Sequence, residues 1–124
     1  METLIIIGVA GFIGANVRYW LGTWAAGAFG TGFPWGTLII NFTGSVLLSI
    51  FVAWAAGRTN FDPRIRYFVA VGFFGAYTTF STYAVDSVML LRSAAWTSGL
   101  LNILATNGLC LIGVAIGLII GSRL

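Results

Sequence analysis

The side chains with chemistry to offer in this chain are amides, hydroxyls and aromatic ring edges. Thr37, Asn41 and Ser45 recur at i, i+4 and i+8 with Ser49 one turn beyond, and Ser98, Asn102, Thr106 and Cys110 repeat the spacing. Each asparagine brings two amide donors that its own helix backbone cannot easily satisfy. A third concentration reads Gly72-Phe-Phe-Gly75-Ala-Tyr-Thr78-Thr-Phe80-Ser-Thr-Tyr83. Two glycines followed by a run of hydroxyls are poor material for an unbroken helix. Beyond the expected break, Phe80, Tyr83 and Ser87 share one helical face, and Thr79, Thr82 and Asp86 the next. Hydroxyls often bond back to their own helix, and aromatics in such settings often only pack, so each residue alone also has an ordinary structural reading. Together they form a lining of donors and positive ring edges. Such a lining suits a small, hard anion, because it replaces a hydration shell without a fixed cation that would hold the ion too tightly.

These groups must be held by helices in a bilayer. Of 124 residues, 59% are hydrophobic and 7% charged, whereas soluble domains carry about 25% charged residues. Six arginines oppose Glu2, Asp62 and Asp86, and there is no lysine, so no basic face for nucleic acid can be built. With no histidine and one cysteine, Cys110, His-based catalysis, a His/Cys metal cluster and an intrachain disulfide are excluded. Stretches 3–17, 19–57, 67–85 and 93–122 are free of charge. About 20 apolar residues cross a bilayer, and 19–57 carries turn chemistry at Gly27, Gly30, Gly32, Pro34 and Gly36, so it is split. An all-α integral membrane domain over 1–124 is expected, with helices at about 4–22, 35–57, 65–91 and 97–121. The glycine-rich segment 23–34 reads as a link, Pro63 suits a first helical turn, and the N-terminus lacks the basic flank of a cleavable signal.

Glycine ridges at Gly113, Gly117 and Gly121, and at Gly8, Gly11 and Ala15 toward Arg18 and Gly22, fit either intrachain packing or a subunit interface. With the N-terminus inside, four arginines face the cytoplasm and two the exterior, a modest orientation bias. Arg18 is expected in the last turn of the first helix, either snorkelling to the interface or drawing anions to a pathway mouth. Asp86 is expected to pair with an arginine or face a vestibule. No carboxylate lies in the middle of a span, which disfavours proton coupling and organic-cation binding.

Gly36-Thr-Leu-Ile-Ile-Asn41-Phe-Thr-Gly44 and the Gly72–Tyr83 segment resemble the two hallmark segments of the Fluc (CrcB) fluoride channels, and Gly11-Phe-Ile-Gly14-Ala-Asn-Val-Arg18-Tyr resembles that family's first-helix motif. The resemblance covers the whole chain. It implies a multi-pass protein of the bacterial inner membrane, assembled as an antiparallel, dual-topology homodimer that exports fluoride passively and is not an enzyme. Carried over, Asn41 donates to fluoride, Phe80 and Tyr83 present ring edges, and Ser81, Thr82, Thr79 and Thr37 line the route with Arg18 at a vestibule. The carbonyls of Gly75 and Thr78 are expected to hold a structural Na⁺ at the dimer centre. Asp86 matches a position that is usually acidic. Ala76 and Tyr83 depart from the family pattern, which has glycine and phenylalanine there. A small four-helix multidrug exporter would share the size but needs an embedded acid in its first helix, which is absent. A non-transporting assembly subunit would explain the glycine ridges but not Asn41 together with the Thr78–Thr82 run.

Overall fold

The computed structural model describes residues 1–124 as helices alone. Helix α1 spans Glu2–Phe29 and α2 spans Trp35–Ala56. The third crossing, Pro63–Arg92, is interrupted. Its first part, α3, comprises an α-helical turn Pro63–Arg66, a π-helix Tyr67–Phe74 and a final turn Gly75–Tyr77. Its second part, α4, spans Phe80–Arg92, and α5 spans Trp96–Gly121. All four crossings are long and apolar enough to span a membrane.

The first helix is longer than the sequence reading of 4–22. Residues 23–29 contain no proline and continue the helix, which stops only where Gly30 adopts φ 81°. The link therefore shrinks from 23–34 to Gly30–Pro34. Arg18 consequently lies about three turns before the end of α1, not in its last turn. At α3, Asp62 accepts from the Arg64 amide at 2.9 Å and Pro63 follows at the first helical position, as its missing N–H allows.

Small residues set how closely the helices approach. A Cβ on Gly117 would run into Ser49 and the Val46 carbonyl, and one on Gly121 into the Ile50 carbonyl, so this ridge seats α5 on α2. A Cβ on Gly14 would meet the Phe73 carbonyl, and one on Gly72 would lie 2.5 Å from Ala10 Cβ, so α1 beds directly on the π-helix. The open choice between intrachain packing and subunit interface thus resolves toward intrachain packing at Gly113, Gly117 and Gly121. Nothing lies within 4 Å of a Cβ at Gly8.

The interior is slight, with 21 of 124 residues buried and Ile40, Phe74 and Tyr77 as its apolar centre. Phe12, Leu104 and Leu111 are over 70% exposed, an outward apolar surface that suits hydrocarbon rather than water. Inside, hydrogen bonds tie the helices. Asn102, fully buried, donates to Ser87 Oγ at 2.9 Å, Ser87 donates to the Tyr83 carbonyl, and Thr106 donates to Asn102 Oδ1. The Asn102 stripe therefore looks into protein. No buried side-chain polar atom lacks a partner.

Candidate functional site

The break in the third crossing falls on Thr78 and Thr79. Both adopt extended backbone, φ −78°, ψ 157° and φ −151°, ψ 106°, whereas Gly72 lies within the π-helix and Gly75 is helical at φ −60°, ψ −34°. The glycines expected to cause the break do not sit in it. Gly72 serves the approach of α1, and Ala76 keeps its Cβ without strain because it occupies an ordinary helical turn opposite Gly11.

Asn41 holds the break open. Its Oδ1 accepts from the Thr79 amide at 2.8 Å and its Nδ2 donates to the Thr79 carbonyl at 2.9 Å. In a continuous helix the Thr79 amide would bond the Gly75 carbonyl and the Thr79 carbonyl would receive the Tyr83 amide. The side chain of α2 takes both places, with Asn41 and Thr79 each buried. Thr79 also caps α4, its Oγ1 accepting from the Thr82 amide at 3.2 Å. Two main-chain oxygens are released as a result. The Gly75 carbonyl loses the Thr79 amide, and the Thr78 carbonyl, whose helical partner would be Thr82, accepts no hydrogen bond in the chain.

Two open cavities flank this junction, one reaching Thr79 and the other Thr78. The larger, about 840 Å³, is lined by Arg18, Thr37, Thr79, Thr82 and Asp86 among others. The smaller, about 330 Å³, is lined by Asn41, Thr78, Phe80, Tyr83, Thr106 and Asn107 among others. The expected pathway residues thus divide into two groups on either side of the Asn41–Thr79 pair. Two of the residues singled out belong to neither cavity: Ser81 is exposed, 3.4 Å from Thr79 Oγ1, and Gly75 is exposed on the outer surface.

Within the larger cavity Asp86 accepts from Thr37 Oγ1 at 2.8 Å. It lines this cavity, and the arginine pairing that one sequence reading expected is not formed. The only ion pair joins Arg64 to Glu2 at 3.2 Å on the exposed surface. The cavity therefore carries one positive and one negative group, Arg18 and Asp86.

In the smaller cavity Phe80 is 76% exposed and in ring contact with Tyr83 at 5.3 Å between centroids. Tyr83 is buried, and its hydroxyl accepts from Asn107 Nδ2 at 2.7 Å. Sequence reasoning missed Asn107, which lies one position off the Ser98–Cys110 stripe. The signal available was indirect: a phenol inside a membrane span requires a polar partner at its own depth. Asn41 keeps one amide proton beyond the one given to Thr79, and no other acceptor in the chain takes it. Asn41, which lines the cavity, thus keeps a free donor, and no cluster of His, Cys, Asp or Glu that could hold a metal is present.

Residues 5–118 match the family described as CrcB-like protein, Camphor Resistance (CrcB). A protein of Koribacter versatilis named fluoride-specific ion channel FluC is 44% identical over 87% of this chain and 86% of its own length. Proteins of the same name from Sulfurihydrogenibium sp. and Rhizobium meliloti are 39% and 36% identical, covering 100% and 95% of this chain and 100% and 94% of their own lengths. Four spans, a third crossing interrupted after its glycines and a family match over nearly the whole length lead to one assignment: the chain is a multi-pass membrane protein belonging to the CrcB family.

Proposed function

We propose that the chain is the subunit of a fluoride-selective channel that lets F⁻ leave the cytoplasm passively. The observation that carries this reading is the junction at Thr78–Thr79, where two cavities flank a backbone break bridged by Asn41. Its three named relatives bear the name fluoride-specific ion channel. A dehydrating anion needs donors in series, and hydroxyls, amides and ring edges supply them without an excess of fixed charge. Arg18 at the vestibule draws the anion in, Thr37, Thr79 and Thr82 receive it, and Asn41 and Phe80 carry it past the junction, with Tyr83 beyond.

Passive flow suffices for export. HF is uncharged, enters through lipid and dissociates in a more neutral cytoplasm, after which an inside-negative potential drives F⁻ outward by about 2.3 kcal/mol per charge per 100 mV. No reaction chemistry is required of the protein.

The channel is completed by a second copy in antiparallel orientation. Each copy's smaller cavity is lined by an exposed Phe80, and Gly75 is exposed on the outer surface. Pairing two copies closes both. The released Gly75 and Thr78 carbonyls fit a hard monovalent cation, which prefers neutral oxygens, and with their counterparts they would hold the structural Na⁺. Bound there, such an ion would offset the partial negative charge of the carbonyls and would tie the two breaks together.

Purified protein reconstituted alone into liposomes tests the reading. Rapid fluoride efflux with chloride retained is expected. Retention of both anions by folded protein would refute a self-sufficient fluoride channel.

A further inference from the structure

The Tyr83–Asn107 contact determines where the phenolic proton points. Asn107 Nδ2 donates at 2.7 Å to the Ile103 carbonyl and at 2.7 Å to the Tyr83 hydroxyl. A carbonyl oxygen only accepts, so the atom facing Ile103 must be the nitrogen, and exchange of the amide's two ends is excluded. Both amide protons are then committed, one to Ile103 and one to Tyr83. The Tyr83 oxygen is therefore an acceptor in this contact, and its own proton must go elsewhere. No other side chain or backbone group of the chain bonds that hydroxyl, and the cavity beside it is lined by Asn41, Phe80 and Thr106. Thr106 spends its proton on Asn102 and Asn41 spends its oxygen on the Thr79 amide. Each oxygen keeps a lone pair, but neither is hydrogen-bonded to the phenolic oxygen.

We infer that the Tyr83 hydroxyl is a hydrogen-bond donor to the permeating anion in the smaller cavity, and that Asn107 is the positioning residue that orients and polarises it. Accepting a hydrogen bond from Asn107 makes the phenol a stronger donor, because successive bonds in a chain polarise one another. The inference rests on the channel reading above and adds a station to it. At Tyr83 the ion meets an oriented O–H rather than the weaker positive edge of a ring. It also separates two roles in one pair: Tyr83 touches the ion, while Asn107 acts through Tyr83.

Fluoride efflux from proteoliposomes, measured against fluoride concentration, tests the pair in a double-mutant cycle of Tyr83→Phe, Asn107→Leu and both together. Each single substitution is expected to raise the half-saturating fluoride concentration about tenfold, the scale of one charge-assisted hydrogen bond partly replaced by a ring edge. The double substitution is expected to do no more than either alone. Fluoride should also perturb the near-ultraviolet absorbance of tyrosine in the detergent-solubilised parent protein, chloride should not, and Tyr83→Phe should abolish the change. A half-saturating concentration unmoved by Tyr83→Phe overturns the inference while leaving the channel reading intact. Additive effects of the two substitutions show that Asn107 supports the helix pair rather than the hydroxyl, and overturn the positioning role. A parent protein that passes no fluoride overturns the channel reading and the inference with it.

Discussion

Replacing Asn41 by leucine removes both hydrogen bonds to Thr79 without greatly changing side-chain volume. The Thr79 amide and carbonyl, in a residue only 8% exposed, then lose their partners. A buried polar group left unsatisfied costs about 1–3 kcal/mol, which for two groups gives about 2–6 kcal/mol. Part of this is recovered if the Thr79 amide returns to the Gly75 carbonyl and the crossing straightens, so a net loss of about 2–4 kcal/mol is expected, with measured bonds between membrane helices favouring the lower end. Asn41→Asp separates the two bonds. Its carboxylate still accepts from the Thr79 amide but sets a second oxygen against the Thr79 carbonyl, so one bond is kept and the other becomes a repulsion. The variant should therefore also lose stability, through the carbonyl side of the bridge alone. Denaturant unfolding in detergent, followed by the fluorescence of the five tryptophans, reads both variants. Asn41→Leu unfolding within about 0.5 kcal/mol of the parent would refute the bridging role and leave Asn41 only its remaining donor.

Other substitutions probe separate features. Phe80→Ile should suppress fluoride efflux while leaving helix content and unfolding unchanged, because a ring 76% exposed contributes little to the fold of one chain; a normal flux would remove Phe80 from the pathway. In the vestibule, Asp86→Asn should increase fluoride efflux at low salt and Arg18→Gln decrease it, both effects fading near 1 M salt as the Debye length falls to about 3 Å. Salt-independent changes would show that these groups act by contact instead. Gly117→Val should destabilise by about 1–3 kcal/mol through its clash with Ser49 and Val46, whereas Gly8→Ala, with open space around it, should be neutral or slightly stabilising. Equal effects of the two in denaturant unfolding would contradict the packing described for α5. Ala94, at φ 61°, carries a left-handed backbone, and Ala94→Gly should raise the unfolding midpoint slightly in the same assay; a lower midpoint would show that the turn favours its methyl group.

Much of the fold was legible because charge-free runs and bilayer thickness leave few solutions. The Thr37–Asn41 stripe likewise announced partners outside its own helix, because amides in hydrocarbon must find them. What stayed hidden depended on contacts across helices. Residues 23–29 look like part of a loop because Gly27, Gly30 and Gly32 follow closely, yet Gly27 stays helical and only the positive φ of Gly30 ends the helix. The break was expected near Gly72 and Gly75 from local propensity. It formed at Thr78 and Thr79, directly after Tyr77, because Asn41, 38 residues before Thr79, supplies that residue's substitute bonds. Asn107 escaped notice because its partner is 24 positions away and off the helical stripe. The π-helix at Tyr67–Phe74 leaves no signature in composition; it reflects how α1 beds against Gly72 and Phe73.

That π-helix also bears on how such a chain can change length over generations. Its turns bond i to i+5, so the eight residues from Tyr67 to Phe74 hold more chain per turn than an α-helix would. Losing one residue there lets the winding tighten, and the segments on either side keep their faces. The same loss within α2 or α5 would swing every later side chain by about 100° around the axis, carrying Asn41 away from Thr79 or Gly117 away from Ser49. The loosely wound stretch is thus the place in the bundle where a single-residue deletion can be absorbed without disturbing the junction.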